Sequence, residues 1–166
     1  TSSGERIHFA SAMTLLGYAD GADFHAGVSY LELAEFLTQH GARVDQDLEE
    51  LWTRMVLNIC IKNTDDHLRN HGFLLTHSGW ILSPIYDLNP CPEGLGLTLN
   101  ISEDDNSLSL DLAMSVIDYF RIKEKTATSI ISRLQASVGN WKKIADTLKI
   151  PRTEQGQMEA AFLRFR

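Results

Sequence analysis

The segment 63–70, Asn-Thr-Asp-Asp-His-Leu-Arg-Asn, contains the types of side chain that phosphoryl transfer requires. Asp65 and Asn70 are five positions apart, which is the spacing from base to asparagine in the protein-kinase catalytic loop. Another aspartate, Asp87, follows an apparent hairpin. Kinases use one carboxylate to orient the attacking hydroxyl, and an amide oxygen with a second carboxylate to hold magnesium. The pattern therefore predicts Asp65 as the catalytic base, with Asn70 and Asp87 as magnesium ligands.

Three neighbours in the same segment could have other roles. Counting back five positions from Asn70 selects Asp65 as the base, so we expect Asp66 to face solvent. His67 follows the predicted base by two positions, whereas the protein-kinase histidine precedes it by two, so we expect His67 to pack and hydrogen-bond the loop backbone. Arg69 is either a solvated charge or a contact to phosphate or substrate, and the residues favour neither.

Two other interpretations of the segment exist. Asn, Thr and Asp are common where a helix ends and a turn begins. Alternatively, His67 and His71, at i,i+4 spacing, could hold a transition metal together with Asp65 or Asp66. The metal-hydrolase interpretation is weaker because the segment has the composition of a loop and Asp87 stays unexplained. The order of acidic and amide residues around a hairpin favours the kinase.

The elements that must position these residues are mainly helical. Apolar residues recur at helical spacing, and Ser29 to Glu32 forms a capping box. We predict helices over 6–16, from 30 to Gly41, from Asp47 to Lys62, and over about 109–120, 123–138, 140–148 and 153–165.

Two short strands are predicted over 73–75 and 80–82, joined by a turn. A hairpin returns the chain to its starting point, so Asp87 should come back beside Asn70. Residues 97–101 could add a third strand. The expected fold is therefore mainly α, a kinase-like C-terminal lobe in which a helical bundle carries a small β-hairpin.

Composition excludes several classes of protein. The 166 residues carry a net charge of −7, which disfavours non-specific binding to nucleic acid or to an anionic membrane. No apolar run approaches the ~18 residues of a membrane span. Cys60 lies in an apolar helical stripe, where a reduced thiol is expected. These features predict a cytoplasmic protein.

The sequence resembles the HipA family of bacterial serine/threonine kinases, the toxins of HipBA-type toxin–antitoxin modules. The similarity is densest over residues 51–70, and it continues through 79–90, Gly-Trp-Ile-Leu-Ser-Pro-Ile-Tyr-Asp-Leu-Asn-Pro. Residues 6–8 and 30–33 are similar to the beginning of the same lobe. The Asp-x-His-x-x-Asn core alone is less specific, since phosphoinositide-kinase-like enzymes share it.

The resemblance implies an ATP- and Mg²⁺-dependent kinase that phosphorylates serine or threonine in proteins. It assigns Asp65 as the base and Asn70 and Asp87 as metal ligands, and it places His67, Arg69, Asn70, Tyr86 and Asp87 in nucleotide-contacting segments. It also implies a HipB-like DNA-binding antitoxin as partner and an aminoacyl-tRNA synthetase as the type of target.

A kinase also needs an N-terminal lobe, whose glycine-rich loop and lysine hold the phosphates. Few residues precede the first predicted helix, so we expect residues 1–166 to form a HipA-like C-terminal domain without that lobe, and to be inactive in isolation. Two alternatives stay open. One is a non-catalytic module that binds an antitoxin or partner. The other is a lipid or small-molecule phosphotransferase with the same Asp-x-His-x-x-Asn loop.

Overall fold

The computed structural model describes Gly4 and residues 6–162. Within these residues about half of the chain is helical, and a small antiparallel sheet lies beside the helices. The strands are β1 (Phe9–Ser11), β2 (Gly72–Thr76) and β3 (Gly79–Leu82), and the α-helices are α1 (Ala12–Leu16), α2 (Tyr30–His40), α3 (Val44–Cys60), α4 (Leu110–Ser115), α5 (Glu124–Gly139), α6 (Trp141–Thr147) and α7 (Arg152–Met158).

The predicted hairpin is confirmed as β2 and β3, with Phe73 opposite Leu82. Its turn requires a glycine at position 79, because φ there is +130° and a Cβ would lie 2.6 Å from the carbonyl oxygen of His40. The Ala42 amide donates to the carbonyl of Trp80 at 2.7 Å. These contacts fix the hairpin against the junction of α2 and α3.

The third strand is not the one that the sequence suggested. Residues 97–101 form no strand; their one bridge pairs Asn100 with Ser29. The additional strand is β1, which pairs antiparallel with β2 through Phe9 opposite Leu74. The helix predicted over 6–16 is therefore wrong in its first half, because pairing with a distant strand overrides the local helical spacing.

The longer helices follow their sequence signals closely. The capping box at the start of α2 is present, with the Ser29 amide donating to Glu32 Oε2 at 3.1 Å. α3 begins at Val44, three residues before the predicted Asp47, and it contains the predicted apolar stripe. All of that stripe is inaccessible to solvent: Leu48, Leu51, Trp52, Met55, Val56, Ile59 and Cys60.

The core forms around α3, which packs against α2, α4, α5 and the hairpin. Trp52 Nε1 donates to the carbonyl of Ala113 at 2.9 Å, so even the indole of this core residue has a partner. Cys60 is a free, buried thiol, as predicted, and burial raises its pKa to about 11. Each large apolar side chain buried here contributes about 1.5–3 kcal/mol relative to exposure.

The C-terminal part is helical as predicted, with different boundaries. The helix expected over 109–120 divides into α4 and a 3₁₀ helix at Ile117–Phe120. The last predicted helix appears as α7 followed by a 3₁₀ turn at Glu159–Ala161. The last residues of that predicted helix, 163–165, lie outside the described residues. No helix within the described part of the chain has the length and apolar character that crossing a membrane requires.

Candidate active site

The loop that carries the candidate base begins where α3 ends. Lys62 adopts a left-handed conformation, with φ of 49°, and the Asn63 amide donates to the carbonyl of Asn58 at 2.9 Å. This turn directs the chain away from the helix axis. We call residues 63–71 the 63–71 loop; it reaches β2 through a 3₁₀ turn at Leu68–Asn70.

Asp65 lies at the exposed tip of this loop. Its backbone carbonyl accepts hydrogen bonds from Asn70 Nδ2 at 3.1 Å and from the His67 amide at 3.0 Å. Within the described residues its carboxylate has no hydrogen-bond partner, so both oxygens are available to a ligand. The base candidate is thus held by its backbone and free at its side chain.

Asn70 is buried, with 6% of its surface exposed, directly behind Asp65. Its Nδ2 is used by the Asp65 carbonyl, which leaves Oδ1 as the atom that could bind a metal ion. An amide oxygen and a carboxylate are hard ligands of the kind that Mg²⁺ prefers, and Mg²⁺ needs few protein ligands when phosphates supply others. Asn70 and Asp87 therefore fit the ion in donor type.

The structure corrects the expectation for Asp66, which does not face solvent. Only 4% of its surface is exposed, because its Oδ2 accepts from the Tyr30 hydroxyl and lies 3.0 Å from His71 Nε2. Burial and the nearby Asp66 raise the pKa of Tyr30 well above its usual value, so its hydroxyl stays protonated and donates. Asp66 is a buried anchor of the loop, and Asp65 is its exposed neighbour.

His67 is half-buried, yet its ring does not bond the loop backbone as expected. Within the described chain its Nδ1 is buried without a hydrogen-bond partner, and its Nε2 lies 3.4 Å from Arg69 Nη2. Arg69 forms an ion pair with Asp20, in which both side chains are exposed. The sequence left the role of Arg69 open, and this contact gives it a partner across the loop surface.

The chain returns beside the 63–71 loop after the hairpin, as predicted. We call residues 84–92 the 84–92 segment. Tyr86 donates its hydroxyl to the carbonyl of Arg69 at 2.6 Å, and burial raises the pKa of Tyr86, which keeps that hydroxyl protonated. The Asn89 amide donates to Asn63 Oδ1 at 3.4 Å. Two hydrogen bonds therefore join the segment that carries Asp87 to the loop that carries Asp65.

Asp87 itself is exposed and has a left-handed backbone, with φ of 58°. Its Oδ1 accepts from Asn89 Nδ2 at 2.6 Å. This conformation is uncommon for a residue with a Cβ, although Asp and Asn adopt it more readily than most. The second carboxylate is thus presented to solvent by a strained turn.

A cavity of about 200 Å³ lies beside Asp65, between the 63–71 loop and the loop after α1. Its polar lining includes Asp20, Asp23, Asp65, His67 and Arg69. Three carboxylates against one guanidinium make it acidic. Nowhere in the described ranges are three His, Cys, Asp or Glu side chains grouped closely enough to hold a metal ion. The hydrolase interpretation also loses His71, which is buried against Asp66.

The sequence matches the HipA-like C-terminal domain family over residues 1–141. The chain belongs to that family. Over 83 residues it is 36% identical to a Haemophilus influenzae protein named "Putative kinase", and the aligned part covers 48% of this chain and 24% of that protein. The family resemblance seen in the sequence is therefore confirmed.

The fold is also similar to a chain in the Shewanella oneidensis MR-1 complex of HipA, HipB and operator DNA. The TM-score is 0.68 at 18% identity, and the match covers 95% of this chain and 43% of that one. At this identity the likeness establishes the fold alone. The chain spans less than half the length of either relative.

Sequence reasoning missed the residues behind the loop. Tyr30 and Asn58 contact each other at 3.1 Å and lie beneath Asp66, although 36 positions separate Tyr30 from Asp66. Tyr30 follows a capping residue and Asn58 interrupts an apolar stripe. Neither feature by itself indicates a site residue.

Proposed function

We propose that this chain is the C-terminal lobe of an ATP- and magnesium-dependent protein serine/threonine kinase of the HipA type. The observation that carries the proposal is the exposed carboxylate of Asp65, which has no hydrogen-bond partner in the described part of the chain. It is held on a loop that is hydrogen-bonded to the segment bearing Asp87. The kinase name of the Haemophilus influenzae relative supports the same activity.

In this proposal Asp65 accepts a hydrogen bond from the substrate hydroxyl and orients its oxygen for attack. Asn70 Oδ1 and the Asp87 carboxylate would hold the magnesium ion, which would supply neutralisation of charge on the transferring phosphoryl group. Tyr86 supports the nucleotide side through its bond to the Arg69 carbonyl. His67 and Arg69 line the cavity beside Asp65, and in this proposal they belong to the segments that contact the nucleotide.

The acidic cavity favours the acceptor side of the reaction. Its carboxylates, Asp20, Asp23 and Asp65, would repel the phosphates of a nucleotide. A volume of about 200 Å³ is below the usual size of a site for a drug-sized ligand. A serine or threonine side chain is small and uncharged. We therefore place the acceptor hydroxyl in this cavity and ATP on the side of Asn70 and Asp87.

We propose two partners for this domain: an N-terminal lobe of the same protein, because the relatives are longer, and an antitoxin, because of the family. An N-terminal lobe would supply the glycine-rich loop and the lysine that kinases use on the phosphates. The complex of the Shewanella oneidensis relative supports a HipB-like DNA-binding antitoxin as partner. A cytoplasmic toxin–antitoxin role, with an aminoacyl-tRNA synthetase as the phosphorylated target, is part of the same proposal.

The test is phosphoryl transfer from radiolabelled ATP by the full-length protein that contains this domain. Asp65→Asn should lower kcat by about 10²–10⁴-fold, the usual contribution of a positioned acid or base. Asp87→Ala should abolish transfer chiefly by weakening binding of magnesium and ATP. Asp104→Asn, an exposed acidic residue outside the site, is the matched control and should leave transfer unchanged.

Normal transfer by Asp65→Asn would refute the assignment of the base. If every variant and the wild type lack transfer while the protein still binds its antitoxin, a non-catalytic binding module would replace the kinase proposal. Phosphorylation of a lipid or small molecule, with none of protein, would favour the other alternative.

A further inference from the structure

A continuous series of hydrogen bonds, made by side chains and by the backbone amide of Asn89, runs beneath the candidate site from one end to the other. We call it the polar chain. Its members come from α2, α3, the 63–71 loop and the 84–92 segment. In order of contact they are His71, Asp66, Tyr30, Asn58, Asn63, Asn89 and Asp87.

The first half of the polar chain fixes the 63–71 loop to α2. Asp66 Oδ2 is shared by the Tyr30 hydroxyl and by His71 Nε2, which is 3.0 Å away. The rings of Tyr30 and His71 meet edge to face, with centroids 5.5 Å apart. Tyr30 has no exposed surface, and its own amide donates to the carbonyl of Asn100 at 2.9 Å. The group that holds Asp66 is therefore itself immobilised.

The second half joins the loop to the 84–92 segment. Asn58 Nδ2 donates to the Tyr30 hydroxyl at 3.1 Å, and Asn63 Nδ2 donates to Asn58 Oδ1 at 3.0 Å. Asn63 Oδ1 accepts from the Asn89 amide at 3.4 Å, and Asn89 Nδ2 donates to Asp87 Oδ1 at 2.6 Å. Asn58 and Asn63 each use one side-chain donor and one side-chain acceptor, whereas Asn89 donates twice, through its backbone amide to Asn63 and through its side chain to Asp87.

Such an arrangement is a costly way to stabilise a fold. A buried amide or carboxylate gains little over its hydration, and it costs about 1–3 kcal/mol when its partner is lost. The rest of the buried face of α3 is largely apolar, and the buried amide of Asn58 bonds both Tyr30 and Asn63, the first residue of the loop. Buried polar networks fix geometry, because only one arrangement of the side chains satisfies all of the donors and acceptors.

From this geometry we infer that the polar chain is a positioning device: Tyr30, Asn58, Asn63 and Asp66 set the placement of the Asp65 loop relative to Asp87. None of the four is assigned a contact with substrate, so they are positioning residues. The inference rests on the proposed function, since it concerns the alignment of the proposed base with the proposed metal ligand. A misplacement of about 1 Å in such a site can cost roughly 10²-fold in rate.

Tyr30→Phe tests the inference with the smallest change, because it removes one hydroxyl and keeps the ring that contacts His71. Tyr18→Phe is the matched control. The Tyr18 hydroxyl donates to Glu32 Oε1 at 2.8 Å, a comparable tyrosine–carboxylate bond that lies outside the polar chain. Both variants are compared with wild type in the full-length protein, by steady-state kinetics and by amide hydrogen exchange.

Tyr30→Phe should lower kcat by about tenfold and leave KM for ATP within about twofold, since alignment rather than nucleotide contact is lost. Hydrogen exchange should become faster in both the 63–71 loop and the 84–92 segment. Tyr18→Phe should change neither quantity. A loss of thermal stability shared by the two variants, with no difference in kcat or exchange, would mean that the Tyr30 bond is merely structural and would overturn the inference.

Asn89→Ala is a second variant, and because Asn89 is exposed the substitution should leave the fold intact. It removes the last side-chain link to Asp87, and KM for magnesium-ATP should rise by about fivefold, the equivalent of one hydrogen bond. An unchanged KM would overturn the link to Asp87.

The failure of the inference and that of the proposed function are distinguishable. If wild type transfers phosphate and Tyr30→Phe transfers it equally well, only the positioning role falls. If wild type transfers none, the kinase proposal falls, and the exchange measurement still decides whether the polar chain couples the two segments. Faster exchange confined to the 63–71 loop would refute that coupling.

Discussion

The 63–71 loop and the 84–92 segment contribute one candidate carboxylate each, yet the protein holds them in different ways. In the loop, Asn63, Asp66, Leu68, Asn70 and His71 are buried and act as anchors. In the segment, which contains three prolines, residues 84–87 are all exposed. The segment is held by bonds from Tyr86 and Asn89, and by the Cys91 amide, which donates to the Lys62 carbonyl at 3.1 Å.

The two regions differ in how firmly the fold alone holds the candidate carboxylate. The base candidate extends from a loop whose neighbours on either side are packed into the core. Asp87 stands on a turn with positive φ, exposed to solvent. The fold therefore holds the backbone of Asp65 between buried neighbours, whereas Asp87 stands on an exposed turn with fewer buried contacts.

The largest predicted difference is in the free energy of unfolding, between the single variants Asp66→Ala and Asp65→Ala. Asp66→Ala leaves the Tyr30 hydroxyl and His71 without their shared acceptor, and it should lower the free energy of unfolding by about 2–4 kcal/mol. Asp65→Ala should change it by less than about 0.5 kcal/mol, because the carboxylate is exposed. Urea unfolding of both variants measures the difference. Equal losses would show that the loop is not anchored through Asp66.

A smaller difference in stability should separate two variants at Asp87. Glycine adopts positive φ without the Cβ penalty, so Asp87→Gly should be more stable than Asp87→Ala by about 1 kcal/mol. Thermal unfolding of the pair provides the measurement, and both variants should lose phosphoryl transfer. At Asp104, which lacks positive φ, the same two substitutions should not favour glycine. A more stable alanine variant at position 87 would contradict the strained conformation.

The smallest predicted effect needs no substitution: it is the difference in thiol reactivity between the two cysteines. Cys60 is inaccessible, and its pKa of about 11 means that very little thiolate exists below pH 9. Because the thiolate is the reactive form, a thiol reagent at pH 8 should modify Cys91, which is half-buried in the 84–92 segment, and spare Cys60. Peptide mapping after brief labelling identifies the modified residue. Equal labelling at the two sites would show that the end of α3 opens as easily as the segment.

Local patterns predicted the helices and the hairpin well, because their signals are contained in short stretches. The stripe from Leu48 to Cys60 and the capping box at Ser29 involve contacts within one element and its immediate core. β1 was predicted as helix because its spacing is ambiguous over a few residues. Its strand partner, β2, lies far along the chain, with Phe9 opposite Leu74, and no local pattern indicates that pairing.

The sequence alone determined the family, the order of Asp65, Asn70 and Asp87, and the hairpin that returns Asp87 to the loop. These features depend on residue type and spacing, which a single chain displays directly. The tertiary structure decided which of two adjacent aspartates is exposed. Asp66 is buried because Tyr30, from α2, and His71, from the end of the 63–71 loop, converge on its carboxylate. Only folding brings Tyr30 to this site, since a buried polar group is stable only where the surrounding structure supplies its hydrogen bonds.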